Sequence, residues 1–234
     1  MAGIGTTSLY INVPPLARDE FELYSTRLFD DWEAFVSNVL KLSDYSLALE
    51  VEEGSIKAVG RIAATLGVLY IGIGQYGSFI SGVQTIQSQI RTVGDYLGDR
   101  AAEPFGVSPQ ISKRGESLSR IQTLFVKVQR RQLTVEEAML ETEAIFGSEL
   151  ETAPEFVSTL RDSLEKAPLY PEQAELELVD IDGVPLTLSA EKKKRTRLPT
   201  PTPPMPMPDP DQYRVEIWRE NKRSKRNIRV VKLD

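Results

Sequence analysis

The chain has 234 residues, with 28 Lys+Arg, 34 Asp+Glu, no His and no Cys. This length holds one ordinary domain with appendages, and 41% hydrophobic with 26% charged residues excludes wholesale disorder. Without His or Cys there is no disulfide framework, no imidazole or thiolate metal site, no cysteine nucleophile and no histidine general base.

The net charge of −6 is divided unevenly along the chain. Residues 191–234 carry 13 basic against 6 acidic side chains, whereas the preceding 190 residues carry 15 against 28. A basic tail on an acidic body either contacts something anionic or folds back onto the body. Residues 1–7 lack a basic segment followed by an apolar core, so no secretory signal is expected and the default setting is cytoplasmic.

Leu9, Ile11 and Val13 alternate as in a strand, stopped by Pro14-Pro15. From Arg18 to Leu42, apolar residues from Phe21 through Trp32 to Leu42 recur at spacings of three and four, predicting an amphipathic helix. Tyr45–Val51 and Ser55–Val59 alternate again about a turn at Glu53-Gly54. The N-terminal part therefore reads β-α-β-β.

Residues 62–90 contain no charge, and Gly recurs at 67, 72, 74, 77 and 82. Three readings compete. Residues 62–83 are long enough for a transmembrane helix. Alternatively, Val68–Ile71 is a strand running into Gly72-Ile-Gly74-Gln-Tyr-Gly77, a formal dinucleotide-binding pattern, although no alternating βα units follow. The preferred reading is a buried or interface helix in which Gly67, Gly72, Gly74, Gly77 and Gly82 let a partner helix, or a second copy, approach closely.

Three modest helices are expected next, one carrying Leu118–Val128, one starting after the capping-box spacing Thr134–Glu137, and one starting at Pro154. A DNA-reading helix-turn-helix is disfavoured, because Glu136, Glu137, Glu141 and Glu143 on the central helix would face phosphates. Leu176–Leu188 about Asp182-Gly183 predicts a hairpin. Asp180 and Asp182 with Glu191 and Lys193 form at most a permissive magnesium-nuclease spacing, and the calcium-loop spacing fails at the glycine. Residues 199–210 are Pro-rich, and Tyr213–Ile217 with Ile228–Val230 predict a second hairpin.

The expected fold class is thus α+β, a β-α-β-β-α body with a glycine-rich apolar helix, a short helical segment and C-terminal hairpins. The expected divisions are 1–104 (body), 105–168 (helical segment), 169–190 (hairpin), 191–211 (basic and Pro-rich linker) and 212–234 (basic hairpin tail). The functional expectation is a non-enzymatic interaction or assembly protein with no metal or cofactor. Candidate residues for an anionic partner are Lys192, Lys193, Lys194 and Arg195, then Arg214, Trp218, Arg219, Lys222, Arg223, Lys225, Arg226 and Arg229. Lys and Arg would contact phosphates, anionic lipid headgroups or acidic protein, and the aromatic would stack on a base. The alternatives are a single-helix membrane effector inserting residues 62–83 and a nucleotide-binding or nuclease-type enzyme.

Overall fold

A computed structural model describes residues 1–169 and 212–233. The hairpin expected at 176–188, the nuclease-type set Asp180, Asp182, Glu191 and Lys193, the cluster Lys192–Arg195 and the Pro-rich stretch all lie outside the described residues. The described residues belong to one compact unit.

The fold is α+β, with one antiparallel sheet of six strands in the order β4-β1-β3-β2-β5-β6. The strands are β1 (Ala2–Ile11), β2 (Ser46–Glu52), β3 (Ile56–Ala64), β4 (Gln110–Arg114), β5 (Tyr213–Arg219) and β6 (Asn227–Lys232). The helices are α1 (Arg18–Val39), α2 (Leu66–Gly74), α3 (Phe79–Ala102), α4 (Glu116–Gln129), α5 (Val135–Phe146) and α6 (Pro154–Glu165).

Alternation decides the two faces of the sheet. Leu9 and Ile11 of β1, Leu47, Leu49 and Val51 of β2, Ile56, Ala58 and Ile62 of β3, and Val215 and Ile217 of β5 are buried on one face. Against that face α1 sets Phe21, Leu28, Phe29, Trp32 and Val36, while α3 sets Val83, Ile86, Ile90, Val93 and Leu97. Glycines let α3 lie close to the sheet. A Cβ on Gly60 would stand 2.6 Å from Leu97 Cδ2, and one on Gly94 would stand 2.5 Å from Thr7 Oγ1.

The apolar stretch 62–83 is not one helix. Ile62 and Ala64 complete β3, since the alternation from Ile56 continues through them. Thr65 then caps α2, its side chain accepting from Val68 N–H. Gly77, at φ +78°, and the N-cap Ser78 end the run and start α3, so α2 and α3 meet at 107°. No single helix among the described residues is long and apolar enough to cross a membrane. The single-helix membrane geometry is thereby corrected, as is the dinucleotide reading. Val68–Ile71 is helical, and Gly72 and Gly74 lie within that helix, so no strand leads into a phosphate-binding turn.

Helices α4, α5 and α6 pack beyond α2 and α3, with Phe79 of α3 edge-on to Phe156 and Phe156 edge-on to Phe146. The capping box at Thr134 and Glu137 forms in both directions, and Thr134 holds the Glu137 carboxyl below its ordinary range through backbone and side-chain hydrogen bonds. Strand β4, the N-terminal half of β1 and the second half of β3 extend the sheet beyond the strands expected from the sequence pattern.

Candidate functional site

The C-terminal hairpin, β5 and β6, adds two strands to the sheet by pairing β5 with β2. Val215 and Ile217 enter the common core, which supplies the apolar anchor that an isolated hairpin lacks. Its cations then divide into two groups.

The first group folds back onto the acidic body. Arg219 Nη1 lies 2.5 Å from Glu33 Oε1 of α1, and Arg226 pairs with Asp30 one turn away. Arg214 Nε donates to Glu52 Oε1 at 2.9 Å across the β2–β5 ladder. From the helix side, the Arg18 guanidinium lies 5.0 Å from the Tyr213 ring. Burial raises the Glu33 carboxyl above its ordinary pKa, and the nearby Arg219 charge only partly opposes this. Burial also raises the Tyr45 phenol.

The second group stays outside. In the turn, Asn221 Oδ1 accepts from Arg223 N–H at 2.9 Å and Ser224 N–H at 2.8 Å. Lys222 N–H donates to Asp44 Oδ1 at 2.8 Å, and its ammonium lies 5.5 Å from the Tyr45 ring. Arg223, Lys225 and Arg229 are exposed, with no carboxylate partner among the described residues. Of the hairpin cations expected to face a partner, Arg214, Arg219 and Arg226 are therefore held internally. The physical reason is the acidic edge of α1 and the carboxylate directly opposite on β2.

Trp218 lies on the face of the sheet turned away from α1 and α3, opposite Ala48 on β2 and Asn227 on β6. Its short neighbour Ala48 leaves a pocket of about 330 Å³, lined also by Glu50, Glu216 and Arg229. Three ladders cross this face. One runs Arg114, Thr6, Arg61, Ala48, Trp218, Asn227; the next runs Ser112, Ser8, Val59, Glu50, Glu216, Arg229; the third runs Gln110, Tyr10, Lys57, Glu52, Arg214, Val231. Every one of these residues is half-buried or exposed. Lys57, Arg61 and Arg114 are not among the cations expected from the sequence to face a partner. The signal for the first two was the alternation of Lys57, Val59 and Arg61 against Ile56, Ala58, Gly60 and Ile62.

The glycines expected to form one partner-packing face are also divided. A Cβ on Gly82 would stand 2.5 Å from the Ile73 carbonyl oxygen, so Gly82 serves the α2–α3 crossing inside the protein. Gly72 is buried against Leu42 and Ile86. Gly67 and Gly74 meet no described residue within 4 Å and lie on the outer side of α2, where Ile71 is 59% exposed, and Gly77 serves the bend. The five positions cannot share one face, because the helix breaks between them.

Among the described residues, no group of three or more acidic side chains is placed to hold a metal ion. A second cavity, about 360 Å³, lies between α1 and the end of α3, under Tyr24, whose hydroxyl donates to the Ala101 carbonyl at 2.8 Å. Its Asp31 carboxylate accepts from Arg100 Nε at 2.8 Å. Comparison with known proteins finds no matching family model, no matching curated protein and no matching solved structure.

Proposed function

We propose that the chain is a non-enzymatic interaction and assembly module whose C-terminal hairpin docks on an anionic partner. The observation that carries this reading is the division of the hairpin cations. The body's carboxylates take up Arg214, Arg219 and Arg226, whereas Arg223, Lys225 and Arg229 remain exposed without a carboxylate partner among the described residues. On a chain of net charge −6, this local surplus of positive charge gives an anionic partner a place to approach. The setting we assign is cytoplasmic, where a domain with a core of this extent needs no disulfide staples.

The module's other surface is the outer side of α2, which meets the same surface of a second copy. Gly67, Ile71 and Gly74 fall on one helical stripe, and a knob flanked by two hollows is self-complementary about a two-fold axis. No charge occurs in residues 62–90 to oppose that approach. Sedimentation over a range of concentrations should show a dimer that Ile71→Ser weakens. A monomer throughout would remove this surface from the proposal.

The docking surface is tested by retention on immobilised heparin, used as a generic polyanion. The protein should be retained at low salt, and joint replacement of Arg223, Lys225 and Arg229 by Ser should weaken retention, so that the variant elutes at clearly lower salt. Failure to bind at low salt would mean that these cations are only solvated and would overturn the proposal.

A further inference from the structure

The geometry points to single-stranded nucleic acid as the anionic partner, lying across the open face of the sheet with a base stacked on Trp218. This rests on the anionic-partner reading above and gives that partner a chemical class and a binding face.

The first support is the charge on the face. Each carboxylate on the ladders of β2 and β5 has an arginine: Glu50 takes Arg61, Glu52 takes Arg214, and Glu216 lies 3.9 Å from Arg214. Lys57, Arg114 and Arg229 on the same face have no carboxylate partner among the described residues. The acids are neutralised locally and a surplus of cations remains. Arg114 and Arg229 mark the two edge strands, five strand spacings or about 24 Å apart, so the surplus spans the width of the sheet.

The second support is Trp218. The chain has two tryptophans, and Trp32 is enclosed at 1% exposure on the opposite face. Trp218 shares its pocket with Arg229, Glu50 and Glu216. These groups offer a flat ring for a base, a cation for a phosphate and acceptors for a base N–H such as the thymine imide. A lipid surface presents no ring to stack. A duplex hides its base faces within its own stack, and an acidic peptide matches the cations but leaves the indole unused.

The test is titration of the full chain at low salt with an oligothymidylate of about 12 nucleotides. Trp218 emission should be quenched. Affinity should fall with a log–log salt slope of about −2, as expected for three single-strand phosphate contacts. Arg229→Ser should lower that slope by about 0.7. With a labelled oligonucleotide, Trp218→Phe should retain binding and Trp218→Ala should weaken it roughly ten-fold or more. Should Trp218→Ala fail to fold, the Phe variant and the salt slope of Arg229→Ser still decide the matter. Binding with unchanged Trp218 emission would overturn the inference. Binding of polyglutamate or phosphatidylserine vesicles, but not of the oligonucleotide, would overturn it while leaving the anionic-partner proposal in place. If heparin and all three probes fail, both fall.

Discussion

The two faces of the sheet are built from the same six strands and differ in almost everything else. The inner face carries Leu, Ile, Val and small residues, is covered by α1 and α3, and admits α3 closely at glycines 60 and 94. The outer face carries Arg, Lys, Glu, Thr, Ser and one surface Trp, and all its residues keep contact with solvent. Stability is thus concentrated on one side. The other side is left free to hold charges whose arrangement the fold does not require.

Substitutions on the two faces should therefore differ greatly in cost. Leu49→Ala, on the inner face at 0% exposure, should destabilise by about 2–5 kcal/mol in chemical denaturation. A small effect there would break the comparison at its stronger end. Gly82→Ala, at the α2–α3 crossing, should cost about 1–3 kcal/mol, because the added methyl meets the Ile73 carbonyl rather than a side chain that can move. The same change at Gly67, where no described residue of the same chain lies within 4 Å of an added Cβ, should not destabilise the monomer and, measured at concentrations too low for self-association, is the matched control.

Glu33 sharpens the comparison at the boundary where the hairpin meets α1. Its folded-state pKa lies above the ordinary 4.5, chiefly through burial. Between the unfolded and folded values the native state binds the additional proton, so this group's contribution to stability falls as pH rises through that window. Glu33→Gln should flatten the corresponding part of a plot of melting temperature against pH. An unchanged profile would mean that burial of this carboxyl does not control the junction. The smallest effect is expected on the outer face. Arg61→Gln removes a solvated pair with Glu50 and should change stability by about 1 kcal/mol or less.

The parts of the fold visible in the sequence are those whose pattern is local. Helix α1 was legible because Phe21, Tyr24, Leu28 and Trp32 recur at helical spacing, and α5 because Thr134 and Glu137 make a capping box. The hairpin at 213–232 was legible from the alternation about Val215 and Ile217. Strand β4 was not, since a five-residue edge strand with only Ile111 partly covered carries almost no period-two signal. The start of β1 was hidden by Gly3 and Gly5, the second of which is dictated by Ile90 of α3 lying against it. The second half of β3 was absorbed into the uncharged stretch, where Ile62 and Ala64 read equally well as helix.

The candidate site divides in the same way. The excess of Lys and Arg in the hairpin is plain in the sequence. Which of these residues are used up depends on Asp30, Glu33 and Glu52, more than 160 positions away, and on a strand order no local pattern specifies. Lys57, Arg61 and Arg114 join Trp218 on one face only once β3 and β4 have taken their places beside β1.

If the outer face of the sheet is where nucleic acid binds, the two indole N–H groups report on it directly, one from each side of the sheet. In an NMR titration with oligothymidylate, the Trp218 indole resonance should shift, with the backbone amides of Lys57, Arg61, Glu216 and Arg229, while the Trp32 resonance stays fixed. Shifts confined to the helical face, or movement of Trp32 with Trp218 fixed, would contradict the account.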